Sequence, residues 1–322
     1  MMKYLHSILS VLVISLFMVS CERDVDIDFP DVESQVVVDG AIFLGEPPLL
    51  FLTRTQSFNA PLDPSSLSGL FVNDATVTIS NGTDTVPLTE ICAEDLSPDE
   101  LEIAAELLGI APEDLAQISY CIYTDLSGEM LGELETDYLL EIETIDGQQL
   151  DAQTRIGTPI PLDSLWFQFW ADSDSLGFIH GWLNDPPGER NAYRWRAQRI
   201  NSYPNGEQKD FGMIAPLGST FEDRFFDGLS FEIFYNRGNV PNSAAEDDNN
   251  EEDGFFKLND TVVVEFSSVP LEVYDYYTIS DDQLVNNGSP FAVPTNLPSN
   301  VNGGLGLWAG YAPVYDTVIC VP

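Results

Sequence analysis

Histidine is nearly absent from this sequence, which has two in 322 residues, His6 and His180. His6 lies in an apolar N-terminal segment that we expect to be removed, so His180 is the one that remains. Acyl-transfer triads use a histidine base beside a serine or cysteine, and the strand-like segment around His180 favours a core or edge residue. The sequence also lacks G-x-S-x-G, a phosphate-binding glycine loop and Cys/His pairs at zinc spacing. We therefore predict no catalytic residues and no enzymatic activity.

Basic residues are also scarce. The chain has 12 Lys and Arg against 53 Asp and Glu, a formal net charge of −41. We expect no nucleic-acid partner, because phosphate binding needs clustered Lys and Arg. With so many acids, the sequence cannot single out the carboxylate pair of a glycosidase. So acidic a surface suits salty surroundings, where screening relieves self-repulsion.

Long apolar runs are missing except near the N-terminus, where Ile8–Val19 is followed by Ser20 and Cys21 and then by an acidic stretch. A short apolar run after a charged start, with a small residue before the cut, is typical of a secretory signal. The alternative is an uncleaved anchor with an incidental cysteine, but the run is short for a membrane span. We predict a signal peptide at 1–20, lipidation of Cys21 and an acidic tether at 21–33.

Cysteine is rare, with four residues. If Cys21 carries lipid, Cys92, Cys121 and Cys320 remain, and export permits disulfides. Cys92 and Cys121 bracket a single insertion, so we predict that they are joined, which would add about 3–4 kcal/mol to stability. We expect Cys320 to be a small buried apolar residue.

The first half of the mature chain has the pattern of an antiparallel sandwich. Gln35–Ile42 is rich in β-branched residues, and Ala75–Ser80 alternates before the hairpin signal Asn81-Gly82. Helical spacing at 97–118, opened by a capping box, interrupts this pattern. We predict an immunoglobulin-like domain at 34–157 with a helical-hairpin insertion, whose role is to cap the sandwich or to contact a partner.

The second half, 158–322, predicts another β-rich domain with one helix at Pro270–Asn286. Leu165–Trp170 is apolar on both faces, which predicts a central strand that also meets another surface. The predicted fold class is therefore mainly β, with two β-sandwich-like domains, the first immunoglobulin-like with a short helical-hairpin insertion and the second with one helix.

One acidic segment resembles the start of a calcium loop. Asn249, Glu251 and Asp253 fall at alternate positions, and Asp260 stands at the twelfth. The first ligand is Asn rather than Asp, however, and the bidentate Glu is missing. A solvated run of charge is the simpler interpretation, so calcium is only a weak candidate and no other cofactor is predicted.

Four of the few basic residues, Arg190, Arg194, Arg196 and Arg199, lie within ten positions. In so acidic a chain they are expected to pair with neighbouring carboxylates. The alternative is that they mark a patch for an anionic ligand or a partner.

All five tryptophans lie in the second half. Aromatic platforms bind sugar rings, so a carbohydrate groove is one interpretation. The alternation in Tyr193–Arg196 is that of a half-buried strand, and core packing is the default.

Several segments are similar to one family of Bacteroidota lipoproteins, the proteins with domain of unknown function 4249. The most specific are Asn184–Arg196, Phe221–Gly228, Leu258–Tyr277 and Gly288–Gly304, and the cysteine after the signal, the acidic leader, QVVVDGAI and the insertion agree. The resemblance implies an outer-membrane lipoprotein, displayed on the cell surface and often encoded near TonB-dependent receptors. It supplies no catalytic residues.

The leading functional prediction is a non-enzymatic, lipid-anchored accessory or ligand-binding partner of a TonB-dependent nutrient-uptake receptor. The ligand, a small molecule or a glycan, is not identified by the sequence. A stand-alone structural or adhesive surface lipoprotein is the alternative. A calcium-dependent glycan-processing enzyme is the third.

Overall fold

The computed structural model describes residues 33–56, 69–108, 121–171, 173–210, 212–238, 252, 254–286 and 295–322. The predicted signal peptide, Cys21 and almost all of the tether lie outside these residues, as does the predicted second helix of the insertion. Among the described residues, no helix is long and apolar enough to cross a membrane.

The described residues are mainly strands. The strands are β1 (Val36–Phe43), β2 (Leu49–Arg54), β3 (Thr76–Ser80), β4 (Thr85–Pro87), β5 (Thr89–Cys92), β6 (Cys121–Thr124), β7 (Thr136–Glu143), β8 (Gln149–Ile156), β9 (Leu162–Phe169), β10 (Leu176–Asn184), β11 (Ala192–Arg199), β12 (Thr220–Glu222), β13 (Ser230–Tyr235), β14 (Phe256–Lys257), β15 (Thr261–Val269), β16 (Val301–Asn302) and β17 (Leu305–Ile319). The helices are α1 (Pro98–Leu108) and α2 (Leu271–Asn286), with a 3-10 turn at Ala93–Asp95.

One sheet of eight strands, the long sheet, runs through both predicted domains in the order β12-β11-β15-β17-β1-β2-β6-β5. Its strands pair antiparallel except for β1 and β17, which are parallel from Val37 opposite Leu305 to Phe43 opposite Tyr311. The predicted boundary at 157/158 falls between β8 and β9. Strands from both sides of this boundary therefore share the long sheet.

Close backbone approach makes the β1–β17 pairing depend on glycine. A Cβ on Gly306 would lie 1.9 Å from the carbonyl oxygen of Val38, and Gly306 has a φ of +108°. Both the contact and the backbone angle exclude a side chain at this position. The last strand can therefore join the first only with glycine here.

Two smaller sheets pack on one face of the long sheet. The five-stranded sheet has the order β16-β8-β7-β3-β4, and the four-stranded sheet joins β13, β14 and β9 to β10. Alternate residues of a strand face the same side, so Trp308 and Val318, both at even positions of β17, face the same side of the long sheet. Trp308 belongs to the first apolar core and Val318 to the second. Both cores therefore lie on the same face, which gives the mainly β, sandwich-like fold that was predicted.

Helix α2 covers part of the opposite face, where Val273 packs with Leu307, Ala309 and Tyr311. This helix was predicted at Pro270–Asn286, and the structure confirms it. The first helix of the insertion is also confirmed, and its capping box forms: Ser97 N–H donates to Glu100 at 2.9 Å, and Glu100 N–H donates to Ser97 Oγ at 3.4 Å.

The structure confirms the predicted disulfide, which joins Cys92 to Cys121 across the neighbouring strands β5 and β6. Cys320 is free and buried, as expected. Burial, followed by the nearby charge of Asp260, raises the pKa of its thiol to about 12. Cys320 therefore stays protonated at neutral pH and packs as an apolar side chain.

Candidate binding face

The outward surface of the four-stranded sheet is aromatic. Inward residues of its strands, such as Phe167, Ile179 and Ile233, belong to the second core. Because side chains alternate along a strand, the intervening positions face outward. The surface that we call the aromatic face consists of Trp166, Phe178, His180, Trp182 and Phe234, with Trp170 and Phe255 from the segments beside β9 and β14.

The rings of the aromatic face contact one another across the strands. His180 lies between Trp166, at a centroid distance of 5.5 Å, and Phe234, at 5.3 Å, each inclined by 23° to it. Phe178 meets Phe234 edge-on at 5.8 Å and stacks on Trp170 at 5.5 Å. Such cross-strand aromatic pairs stabilise a sheet. They also join the rings into one continuous apolar surface.

Much of this surface is open to solvent. Phe234 is 57% exposed, Trp170 43% and Trp182 39%. Among the described residues, Trp182 makes no ring contact. Contiguous exposed apolar surface of this kind is typical of interaction sites rather than of inert surface.

Polar groups are interleaved with the rings. Nδ1 of His180 lies 2.5 Å from Oε1 of Glu232, whose side chain is 43% exposed. Ser164 and Gln168 occupy outward positions of β9 and are exposed. The arrangement can stack on a ligand and hydrogen-bond to it. His180 itself is nearly buried between two rings, and the pattern does not make it a catalytic base.

The prediction for Leu165–Trp170 was partly wrong. Among the described residues, β9 pairs with β10 alone, so it is an edge strand rather than a central one. Strand β9 is apolar on both sides for a reason other than a central position. One side packs on the second core, and the other belongs to the aromatic face. Core packing, the default prediction for the tryptophans, is confirmed for Trp195 and Trp308, which are fully buried, while the other three lie on this face.

The four arginines do not form one surface. Arg190, which precedes β11 in the chain, pairs with Glu222. Arg196 makes two hydrogen bonds to Glu265, of 2.9 and 2.6 Å. Arg199 points to the opposite side of β11 and is buried. Arg190, Arg196 and Arg199 therefore pair with neighbouring carboxylates, as predicted.

Arg194 differs from the other three. Its guanidinium carbon lies 3.3 Å from the ring centroid of Tyr277 on α2, and Nη1 donates to Thr220 at 3.0 Å. In the part of the chain that the structure describes, no carboxylate lies within ion-pair distance of it. Arg194 therefore fixes the helix to the sheet through a cation–π contact.

Arg199 is the centre of a buried group of charges. It donates to Asp210 at 2.8 Å and to Glu252 at 2.7 Å, and Lys209 donates to Asp260 at 2.6 Å. Burial acts to raise the pKa of Glu252, but the hydrogen bond from Lys257 and the nearby charges of Lys209 and Arg199 outweigh it and lower this pKa. We call Arg199, Lys209, Asp210, Arg237, Glu252, Lys257 and Asp260 the ion cluster.

One residue of the weak calcium candidate, Asp260, belongs to the ion cluster. Asn249, Glu251 and Asp253 lie outside the described residues. Asp260 is fully buried, and the ammonium group of Lys209 occupies one of its oxygens. The other oxygen accepts from Lys257 N–H at 2.8 Å, so a calcium ion at Asp260 would compete with donors at both oxygens.

A group of three carboxylates was not predicted from the sequence. Asp185, Asp223 and Asp227 offer oxygens that all lie within 4.8 Å of one another. Two of the segments that carry the family resemblance, 184–196 and 221–228, meet here. Both oxygens of Asp185 already accept hydrogen bonds, from Tyr193 and from Gly228 N–H. Asp223 accepts from Asn191 N–H and Asp227 from Gly188 N–H, each through one oxygen. Burial, followed by the hydrogen bond to Asp185, raises the pKa of Tyr193.

Comparison with known proteins gives a family but no activity. The model of a family described as "Domain of unknown function (DUF4249)" matches residues 22–315. No curated protein matches the chain.

Among solved structures, a cycloalternan-degrading enzyme from Trueperella pyogenes in complex with cycloalternan is 8% identical, with a TM-score of 0.23. The alignment covers 86% of this chain and 34% of that chain, so this protein spans about a third of its length. A likeness this low carries no argument about fold or activity. The match over residues 22–315 is the finding that assigns the protein, and the chain belongs to the family with domain of unknown function 4249.

Proposed function

We propose that this protein is a lipid-anchored, non-catalytic binding protein of the outer membrane. In this proposal it is displayed at the cell surface and serves a TonB-dependent nutrient-uptake receptor. The aromatic face is the surface with which it engages the receptor or the receptor's ligand.

The observation that carries the proposal is the exposure of the aromatic face. Burying one large apolar side chain contributes about 1.5–3 kcal/mol, and Phe234, Trp170 and Trp182 leave much of that contribution unused. An outward strand position tolerates polar residues without cost to the core. Rings at these positions are best explained by a partner or ligand that covers them.

The lipid anchor and the address rest on the N-terminal sequence. The apolar run, Ser20, Cys21 and the acidic residues that follow support export and lipidation. A lipoprotein's several acyl chains make such an anchor durable, whereas one chain holds a protein only marginally. The receptor partner is what the family resemblance implies.

The non-catalytic part rests on the chemistry of the side chains. His180 is the one histidine after the predicted signal, and it lies between two rings with Glu232 at Nδ1. An acyl-transfer site would need a serine or cysteine hydrogen-bonded to such a base, and no described serine or cysteine is hydrogen-bonded to the His180 ring. The aromatic face offers stacking and hydrogen bonding instead.

The test is co-purification from outer membranes in a mild detergent, with mass spectrometry of what accompanies the native lipoprotein. We expect a TonB-dependent receptor in stoichiometric amount with the wild type. We expect a loss of at least about tenfold with a Trp182→Ser/Phe234→Ser variant, because two aromatic contacts are removed.

Leu139→Ser is the matched control, since Leu139 faces outward from the five-stranded sheet and is 39% exposed, as Trp182 is. This variant is expected to co-purify as the wild type does. A wild-type lipoprotein that is recovered alone in repeated preparations would contradict the receptor proposal and favour the structural or adhesive alternative.

A further inference from the structure

We infer that the aromatic face binds a neutral glycan, with sugar rings stacked on its tryptophans and hydroxyl groups bonded to its carboxylate and amide oxygens. The inference rests on the proposed function and names the ligand class of the same face. It follows from the rings, the polar groups between them and the charge of the protein.

The rings provide the apolar part of the site. One side of a sugar ring is lined by C–H bonds, and these bonds are attracted to the electron-rich face of an aromatic ring. Trp182 has no ring neighbour among the described residues and is 39% exposed, so part of its ring surface is open to such a contact. Trp170 and Phe234, both exposed, extend the surface along and across the strands.

The polar groups provide acceptors rather than cations. Oε1 of Glu232 is engaged by His180, while Oε2 accepts no hydrogen bond from any described residue. The side-chain amide of Gln168 is exposed on the same face. A ligand rich in hydroxyl donors complements such groups, and hydrogen bonds to a carboxylate are stronger than those between neutral groups.

Charge restricts the choice of ligand further. The outward positions of β9, β10 and β13 carry neither Lys nor Arg. Lys257 of β14 lies at the end of the same sheet and is 39% exposed, but its ammonium group pairs with Glu252 at 2.9 Å. With a net charge of −41, the chain repels polyanions and also a second copy of itself. A neutral polyhydroxylated ligand can bind to the face because the negative charge of the protein does not repel it.

The experiment is affinity electrophoresis of the full lipidated protein in a native gel. The detergent is an amine oxide, because a detergent with a sugar headgroup would compete for the face. Dextran, laminarin and galactomannan are the neutral probes, and dextran sulfate is the charged match for dextran. We expect at least one neutral polysaccharide to retard the protein and dextran sulfate not to retard it.

Variants place the binding on the face. Trp182→Ala and Phe234→Ala are each expected to weaken retardation about tenfold, as expected for the loss of an aromatic contact. Trp182→Phe is expected to retain most of the binding, and Leu139→Ala all of it. Equal retardation of the wild type and of the Trp182→Ala/Phe234→Ala double variant would overturn the inference.

A second measurement needs no variant. The polysaccharide that retards the protein is expected to slow the oxidation of Trp170 and Trp182 by N-bromosuccinimide, as read by mass spectrometry. The buried Trp195 and Trp308 provide the internal control. Oxidation of Trp170 and Trp182 at an unchanged rate would contradict glycan binding at this face.

Failure of this inference is distinct from failure of the proposed function. If no neutral polysaccharide retards the wild type, the glycan inference falls. A receptor that still co-purifies and is lost with Trp182→Ser/Phe234→Ser then makes the aromatic face a protein interface. Glycan binding without a co-purifying receptor removes the receptor partner and keeps the glycan site.

Discussion

The two small sheets perform the same task in the fold, yet their outer surfaces are opposite in character. Each covers one part of the long sheet with an apolar inner face. The outward positions of β7 and β8 carry Asp137, Glu141, Asp151 and Arg155, which is the ordinary polar exterior of a sheet. The four-stranded sheet carries rings at the corresponding positions. Since a polar exterior serves the first sheet, folding does not require the aromatic one.

The interiors that the two small sheets cover differ as well. The first core consists of apolar side chains such as Leu50, Ile79 and Leu140, together with aromatic ones. Beside the second core lies the ion cluster, in which Arg199 is almost completely buried. Buried ion pairs add little net stability compared with apolar packing, but breaking one leaves an uncompensated charge. The second region is therefore the more sensitive to loss of a single charge.

The largest effect is expected from Arg199→Met. Removing this guanidinium leaves Asp210 and Glu252 buried without their main partner, and we expect a loss of about 3–5 kcal/mol in the free energy of unfolding. Urea denaturation measures it. Arg155→Met, at an exposed ion pair on the five-stranded sheet, is the control and should cost at most about 1 kcal/mol. Similar losses for both variants would remove the contrast between the regions.

A somewhat smaller effect is expected at the disulfide of the first region. Cys92→Ser/Cys121→Ser opens a loop with a sequence separation of 29, and the unfolding free energy should fall by about 3–4 kcal/mol. The wild type under reducing conditions should approach the double variant. If a reductant leaves the midpoint of denaturation unchanged, the disulfide does not stabilise this region.

The ion cluster should also respond to pH. The pKa of Glu252 is lowered in the folded protein, so its contribution to stability is present above the pKa of an unfolded glutamate, about 4.3, and is lost as the pH falls through the folded value. The difference in unfolding free energy between the wild type and Glu252→Gln should therefore shrink in acid. A difference that is constant from neutral pH to pH 3 would contradict this.

The smallest effect on stability is expected at the aromatic face. Trp182→Ser should change the unfolding free energy by only about 0.5–1 kcal/mol, close to the effect of Leu139→Ser, because both side chains are 39% exposed. Trp195→Ala, in the second core, should cost about 3–5 kcal/mol. If Trp182→Ser resembles Trp195→Ala instead, the aromatic face serves the fold and the binding proposal loses its main support.

Local patterns predicted much of the secondary structure. The capping box at Ser97–Glu100, the helix at Pro270–Asn286 and the Cys92–Cys121 disulfide were all recognisable, because each depends on residues that are close along the chain or share one insertion. The aromatic face was only half recognisable. Leu165–Trp170 indicated two apolar faces. The outward face becomes one surface with the rings of His180 and Phe234 only after β9, β10 and β13 have paired.

The sequence alone determined many of the strands, the two helices that the structure describes and the acidity of the chain. These properties follow from alternation, capping and composition, which act over a few residues or over the whole chain. Tertiary structure decided that β17 returns to pair with β1, that the arginines separate and that the aromatic rings meet on an exposed face. Such pairings join residues up to 268 positions apart, as Val37 and Leu305 are, and they depend on which surfaces fit when the whole core closes, so no local pattern records them.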